Sequence, residues 1–267
     1  MLRTVGIINV TRDSFSDGGR FLAPEAAVAH AERLAADGAD VLELGAESTH
    51  PDAEDVLDEE QIRRLRPVVE TLVPRGLPIS IDTCRPAVMR AMTALGVHWL
   101  NDVHGFRTPQ AMAAAAAAPP HVHFVVMFSR SQSARADRPL AAAHGVLEEL
   151  QGFFTERLAA FAAAGIERPR LVFDPGMGFF LGRTAAPSLT VLKHLPSLRT
   201  FGVPLLVSVS RKSFVGEVTG LPVAERGPGS LAAELWAARH GADWVRTHDV
   251  AALRAAWAVE QAIASTP

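Results

Sequence analysis

Eight short runs of mainly apolar residues recur along the chain, and a longer segment with helical periodicity follows each of them. The runs cover residues 5–9, 40–44, 79–82, 98–101, 122–127, 171–174, 204–208 and 244–247. Because these runs show little alternation between apolar and polar residues, they are typical of parallel strands that are buried on both faces. The pattern therefore predicts eight strand–helix units.

The segments between the runs predict helices. Pro24 puts a proline into the first turn of one helix, and Gly38 ends that helix. The other predicted helices span residues 56–73, 85–94, 108–118, 144–165, 186–194, 229–240 and 249–264. Residues 128–139 are polar and aperiodic, which predicts a loop. Eight such units predict a single-domain (β/α)8 TIM barrel over residues 1–267, and an open, doubly wound sheet is the alternative.

Composition narrows the function to small-molecule chemistry. Of the 267 residues, 48% are hydrophobic and 21% are charged, which is typical of a folded chain. The net charge of −3 disfavours a nucleic-acid partner. No apolar stretch reaches the ~18 residues needed to span a bilayer, so no membrane partner is expected. One cysteine excludes an intrachain disulfide and suits a reducing compartment, which favours a cytoplasmic enzyme.

Polar side chains follow almost every predicted strand. In a barrel, the carboxyl ends of the strands carry the chemistry. A lone Asp or Asn at such an end can simply cap the next helix, but Lys and Arg do not cap helix N-termini. The set therefore predicts an active site on this rim. Its members include Asn9, Asp82, Asn101, Asp174, Lys212, Arg246 and His248.

Seven segments on this rim resemble the motifs of the dihydropteroate synthase family, and the resemblance covers almost the whole chain. The segments are residues 8–19 (INVTRDSFSDGG), 45–53 (GAESTHPDA), 80–83 (SIDT), 101–105 (NDVHG), 174–179 (DPGMGF), 210–214 (SRKSF) and 246–250 (RTHDV). The resemblance implies a transferase that condenses 6-hydroxymethyl-7,8-dihydropterin diphosphate with 4-aminobenzoate and releases diphosphate, as in folate biosynthesis.

The resemblance also implies a pterin subsite. Asp174 would accept two parallel hydrogen bonds from the amino group and ring N–H of the pterin, and Asn101 would serve the other ring nitrogens. Lys212 would donate to the side of the ring that bears the carbonyl. Met127 and the aliphatic part of Arg246 would enclose the flat ring.

Three residues are expected to act in catalysis: Asp82, Lys212 and Arg246. By resemblance, Asp82 lies near the bridging methylene, where its negative charge would stabilise a developing pterin cation. An aniline nitrogen is largely unprotonated at neutral pH, so the reaction needs no strong general base.

The diphosphate subsite falls at the end of the eighth strand, which is the usual phosphate corner of a barrel. Arg246 and His248 would bind the leaving group there, and Thr49 would offer a hydroxyl. Asn9 resembles the family's magnesium-linked asparagine. We therefore expect Mg²⁺ as the cofactor, with Asn9 as its protein ligand.

The aminobenzoate subsite is implied on two loops and the seventh unit. Phe15 and Pro51 would wall the aromatic ring, and Ser213 would bind the carboxylate. If this slot is intact, sulfonamides are expected to compete for it. The resemblance further implies a homodimer formed through the last helices, where Trp236 and Trp257 lie.

Several departures from the family pattern cluster near this second substrate. His50 stands where an arginine is expected, and Asp52 stands where a glycine is expected. The segment after Met127 lacks the usual histidine and glycine, and residues 178–184 form a longer loop. Two alternatives therefore stay open. One is a pterin-binding paralogue without synthase activity or with another acceptor, and the other is a folate-dependent methyltransferase domain.

Overall fold

Eight strands and nine helices alternate in the computed structural model, which describes residues 2–10, 24–47, 55–130 and 145–266. Strands β1 to β8 are Arg3–Asn9, Val41–Gly45, Ile79–Asp82, Trp99–Asp102, His123–Met127, Leu171–Asp174, Leu206–Val207 and Trp244–Thr247. Helices α1 to α9 are Pro24–Ala36, Asp58–Leu72, Pro86–Thr93, Pro109–Ala116, Val146–Ala163, Ala185–Lys193, Ser213–Thr219, Gly227–Arg239 and Val250–Ala264. Short 3₁₀ segments occupy Val73–Arg75, Arg168–Arg170, Gly178–Phe180, Leu195–Phe201 and Val223–Glu225.

The strands form a nearly closed parallel barrel. Their order in the sheet is β6-β5-β4-β3-β2-β1-β8-β7, and every pairing is parallel. The two outer strands meet through a single bridge between Phe173 and Leu205. Strand order thus follows chain order around the ring, without the reversal at a switch point that a doubly wound sheet has. The predicted (β/α)8 barrel is confirmed, and the open-sheet alternative is wrong.

The elements follow the sequence pattern closely, with two differences. Strand β7 contains only Leu206–Val207 of the predicted run 204–208. Helix α7, Ser213–Thr219, was not predicted. At seven residues it is too short to display a full apolar stripe, and Gly216 interrupts it with a poor helix former. Most of the predicted loop 128–139 lies outside the described residues.

Two apolar layers hold the barrel. Inside its amino end, Val5, Val41, Trp99, Val125, Val172, Leu206 and Trp244 form one cluster. The rings of Trp99 and Trp244 meet edge-on, with centroids 4.9 Å apart. Between the strands and the helices lies the main core, where Phe154 of α5 stacks on Phe173 of β6 at 4.1 Å. These two layers lie below the carboxyl rim of the barrel, and the polar side chains lie at the rim.

Two aspartates at or just after strand ends form hydrogen bonds with the backbone of the rim. Asp102 accepts hydrogen bonds from the backbone N–H groups of His104 and Phe106, at 2.9 and 2.8 Å, and so folds the turn after β4. Asp249 caps α9 by accepting from the N–H of Ala252 at 3.0 Å. The capping interpretation is therefore correct for the eighth unit, where Asp249 caps α9, whereas Asp102 folds a turn and Thr108 caps α4. Within the described residues, no helix is both long and apolar enough to cross a membrane.

Candidate active site

A cluster of buried charges fills the carboxyl mouth of the barrel. Strands β3, β6 and β8 contribute Asp82, Asp174 and Arg246, and Lys212 lies at the start of α7, directly after β7. Each of these four groups shifts the pKa of at least one other through its charge. The fold therefore brings together the three residues predicted to act in catalysis, Asp82, Lys212 and Arg246, and places Asp174 of the predicted pterin subsite beside them.

Glu43 lies at the centre of this cluster, and the sequence analysis missed it. Its carboxylate is fully buried on β2 and forms an ion pair with the Nε of Arg246. Oε2 also accepts hydrogen bonds from the hydroxyl of Ser80 at 3.0 Å and from Nδ2 of Asn101 at 3.1 Å. A glutamate inside the apolar run 40–44 was the available signal, because a carboxylate on a strand buried on both faces needs partners.

Arg246 links Glu43 to the other side of the mouth. Its Nη2 lies 3.3 Å from Oδ2 of Asp82, and its Nη1 donates to the hydroxyl of Ser208 at 3.4 Å. Burial and Glu43 raise the pKa of Asp82 to about 7, although Arg246 and Lys212 act in the opposite direction. Asp82 can therefore gain or lose a proton close to neutral pH, and a further positive charge nearby would favour its carboxylate form.

The sixth and seventh units hold the opposite wall. Oδ1 of Asp174 accepts from the N–H of Gly176 at 2.8 Å, which fixes the orientation of the carboxylate. Burial raises the pKa of Asp174 to about 6. Burial and Arg246 lower the pKa of Lys212 to about 8, and the Lys212 ammonium lies 5.2 Å from the centroid of the Phe180 ring.

The amide of Asn101 has an unsatisfied oxygen. Asn101 is 3% exposed, and within the described residues its Oδ1 has no hydrogen-bond partner. A buried acceptor without a partner is costly, so this oxygen is available to a donor from a ligand or from water. Met127 is also buried, and it packs with Val103 and Phe180 in a small cluster apart from the main core.

His248 lies just after β8, at the corner where the sequence predicts the diphosphate subsite. Its backbone N–H donates to the hydroxyl of Ser210 at 3.2 Å, and its Nδ1 lies 2.9 Å from the same oxygen. Burial and the charge of Arg211 hold the pKa of His248 well below its ordinary value. Strand β1 pairs with β8, so Asn9 ends its strand beside this corner.

The second-substrate loops are only partly described. Phe15, Thr49, Pro51, His50 and Asp52 lie outside the described residues. Ser213 is described, and it packs against Gly178, where an added Cβ would stand 3.0 Å from the serine hydroxyl. Gly178 also has a φ of +67°, so a glycine suits both the backbone and the close approach.

Glu47 joins the end of β2 to the residues just before and within α2. Its carboxylate accepts from Nε2 of Gln61 at 2.8 Å and from the backbone N–H of Val56 at 3.2 Å. Arg85 donates to it at 3.3 Å. Within the described residues, no group of three or more His, Cys, Asp or Glu side chains could hold a metal ion.

Arg130 belongs to the framework around the mouth. Its guanidinium donates twice to Glu149 of α5, at 2.7 Å each, and once to the carbonyl of Leu181 at 3.0 Å. Its side chain is 7% exposed. Arg130 therefore joins α5 to the segment after β6 instead of lying in solvent.

A buried, mixed-charge mouth at the strand ends of a parallel barrel defines an enzyme that binds a polar small molecule. The chain belongs to the dihydropteroate synthase family of pterin-binding enzymes. The family model described as "Pterin binding enzyme" matches residues 5–248. The chain is 47% identical over 262 residues to dihydropteroate synthase type-2 of Escherichia coli, covering 98% of this chain and 96% of that protein.

Solved structures agree with this placement. The Xanthomonas albilineans dihydropteroate synthase with 4-aminobenzoic acid is 45% identical, with a TM-score of 0.90 over 100% of this chain and 94% of the other. The same enzyme in complex with 7,8-dihydropteroate is 44% identical, with a TM-score of 0.86 over 100% of this chain and 95% of the other. Like its relatives, the chain is a transferase.

The raised pKa of Asp174 makes a prediction about stability. With a folded pKa of about 6 against an ordinary value of 3.8, the folded state holds more protons than the unfolded state between these pH values. Stability is therefore lost as the pH rises through this window. We expect Asp174→Asn to raise the free energy of unfolding by about 3 kcal/mol at pH 8 and to change it little at pH 3.5.

Urea unfolding at the two pH values measures this difference. The exposed Asp37→Asn is the control, and it should not show the same gain at pH 8. A gain from Asp174→Asn that is equal at both pH values would contradict a buried carboxyl with a raised pKa.

Proposed function

We propose that this chain condenses 6-hydroxymethyl-7,8-dihydropterin diphosphate with 4-aminobenzoate and releases diphosphate, using the buried cluster at the barrel mouth. The observation that carries the proposal is the convergence of Asp82, Asp174, Lys212 and Arg246 there, in a full-length member of the dihydropteroate synthase family. Because the relatives are named synthases over nearly the whole chain, this reaction is favoured over a methyltransferase domain.

The pterin is proposed to lie across the mouth with its amino group and ring N–H toward Asp174. The Gly176 N–H already holds this carboxylate in place, so little reorganisation is needed on binding. Asn101 would accept a ring N–H with its unsatisfied oxygen while Glu43 holds the other end of its amide. Met127 would cover one face of the ring, and Lys212 would donate to the carbonyl side.

Asp82 and Arg246 are proposed to serve the reacting carbon. As diphosphate leaves, positive charge develops on the pterin, and a nearby carboxylate stabilises it. Asp82 suits this role because its partial burial strengthens its interaction with a cation. Arg246 would face the departing negative charge while Glu43 keeps its guanidinium in position.

The diphosphate is proposed to bind Arg246, His248 and Thr49. We propose Asn9 as the magnesium ligand, because it ends the strand that pairs with β8 and its amide offers a neutral oxygen. Mg²⁺ commonly combines one or two protein oxygens with substrate phosphates and water. Bound Mg²⁺ would supply neutralisation of the leaving group. The chain's own residues would hold the diphosphate in one orientation.

We propose that 4-aminobenzoate enters between the segment that contains Thr49 and Pro51 and the start of α7. Ser213 would bind the benzoate through its hydroxyl and backbone N–H, and Phe15 and Pro51 would wall the ring. Sulfonamide competition depends on this same slot.

A homodimer is proposed from the surface of three adjacent helices. Leu189 of α6, Val218 of α7 and Trp236 of α8 are 44%, 62% and 45% exposed. Exposed apolar side chains on neighbouring elements are typical of an association surface. Trp257, in contrast, packs against the core and would contribute little.

Turnover tests the proposed function. With pterin diphosphate, Mg²⁺ and 4-aminobenzoate, we expect diphosphate release and formation of 7,8-dihydropteroate in equal amounts. Lys212→Ala should lower the rate at least about tenfold, because it removes a charge-assisted hydrogen bond. The exposed Lys193→Ala should leave the rate unchanged.

One result would contradict the use of 4-aminobenzoate as the acceptor. Tight pterin binding without product, and without rescue by His50→Arg combined with Asp52→Gly, would mean that the chain uses another acceptor or none.

The magnesium role is tested by linkage between ligands. We expect calorimetry to show that pyrophosphate strengthens the binding of a pterin and that EDTA abolishes this effect. The reason is that Mg²⁺ would neutralise the negative charge of the pyrophosphate bound next to the pterin, and EDTA removes the Mg²⁺. Asn9→Ala should reproduce the effect of EDTA. If strengthening persists in EDTA, Arg246 and His248 carry the diphosphate without the metal.

A further inference from the structure

The turn that leads into Lys212 has a backbone conformation that its sequence does not favour. Lys212 donates its N–H to the carbonyl of Val209 at 3.2 Å, so residues 209–212 form a turn just after β7. The third residue of this turn, Arg211, has a φ of +57°. A residue with a Cβ is disfavoured in this left-handed region, and turns with a positive φ at the third residue ordinarily place glycine there. The surrounding structure must therefore hold Arg211 in place.

Ser230, in the first turn of α8, supports one side of this turn. Its hydroxyl accepts the backbone N–H of Arg211 at 2.8 Å. The same hydroxyl donates to the carbonyl of Arg226, the residue just before α8, at 2.7 Å. Because the single proton of this hydroxyl goes to that carbonyl, the oxygen is left to accept from Arg211. The N–H side of the strained residue is thus tied to the start of α8.

The guanidinium of Arg226 supports the carbonyl side of the turn. Its Nη1 donates to two consecutive carbonyls, those of Arg211 at 3.2 Å and Lys212 at 3.4 Å. Its Nε donates to the carbonyl of Leu221 at 3.0 Å, which fixes the plane of the rigid guanidinium. Gly216 of α7 lies against this group, and a Cβ at that position would overlap it. Both hydrogen bonds and close packing therefore hold the guanidinium beside the turn.

Lys212 projects from this turn toward the segment that follows β6. A Cβ at Gly178 would stand 3.4 Å from the Cβ of Lys212, and the Lys212 ammonium lies 5.2 Å from the centroid of the Phe180 ring. Asp174, the last residue of β6, lies at the start of the same wall of the mouth. Because the backbone of a residue sets the direction of its side chain, a change in the turn would displace the ammonium within the mouth.

We propose that Arg226 is a positioning residue for Lys212. Together with Ser230, it holds the turn at Arg211 so that the Lys212 ammonium meets the carbonyl side of the pterin. This inference rests on the proposed function, because it requires Lys212 to donate to the pterin. Arg226 acts through two backbone carbonyls, so its effect on the ligand depends on the presence of the Lys212 side chain.

A double-mutant cycle with Lys212 tests this dependence through calorimetry of 6-hydroxymethyl-7,8-dihydropterin binding. This ligand lacks the diphosphate, so charges at the phosphate corner affect its affinity little. We expect Arg226→Gln to bind it about fivefold more weakly than the wild-type chain, because the two carbonyls lose a charged donor. In a chain with Lys212→Ala, adding Arg226→Gln should change the affinity by less than about twofold, because the side chain to be positioned is gone.

Three further variants separate positioning from a general loss of structure. Arg239→Gln removes an exposed arginine from the other end of α8 and should match the wild-type chain. Ser230→Ala should weaken pterin binding about threefold, and it keeps the inference testable if Arg226→Gln does not fold. In a chain with Arg211→Gly, adding Ser230→Ala should change the affinity by less than about twofold, because glycine adopts this φ without support.

The cycle also distinguishes the failure of this inference from the failure of the proposed function. Equal losses from Arg226→Gln with and without Lys212→Ala would overturn the positioning role. Unchanged affinity in both Arg226→Gln and Ser230→Ala, beside a loss in Lys212→Ala, would overturn it and leave the pterin site standing. If Lys212→Ala itself binds the pterin normally, the proposed role of Lys212 is wrong, and the positioning role is wrong with it.

Discussion

The ion pair between Glu43 and Arg246 is the interaction on which the rest of the site depends. It joins β2 to β8 inside the barrel mouth, and the remaining bonds of Glu43 reach β3 through Ser80 and β4 through Asn101. Removing either partner would leave a buried charge without compensation, which is far more costly than losing an exposed pair. The pair therefore fixes both the guanidinium and the amide that the substrate would meet.

The mouth is arranged for binding at the expense of stability. Burial raises the pKa of Asp82 and Asp174 and lowers that of Lys212, so each charged group is less stable here than in water. Perturbed groups of this kind gather at functional sites, where a ligand completes the missing interactions. Apolar packing below the mouth offsets this loss of stability, for example between the stacked rings of Phe154 and Phe173.

Local pattern was enough to predict the barrel and much of its rim. Each buried strand is an apolar run, and every run but the fifth is followed by a polar residue, so Asp82, Asp174 and Arg246 could be identified from the sequence. Glu43 could not be paired with Arg246, because 203 positions separate them and only barrel closure brings them together. The burial of Glu234, which is 2% exposed on α8, could not be predicted for a related reason, because a single carboxylate on a helix resembles any solvated residue until its neighbours are known.

The binding of pterin diphosphate to two variants tests most directly whether this buried cluster is a pterin site. Asp174→Asn turns an acceptor oxygen into a donor that faces the donors of the pterin, and Lys212→Ala removes a donor from its carbonyl side. Charge-assisted hydrogen bonds contribute ~1.5–3 kcal/mol each, so calorimetry should show each variant binding at least about tenfold more weakly than the wild-type chain. Unchanged affinity in both variants would contradict the assignment of the barrel mouth to the pterin.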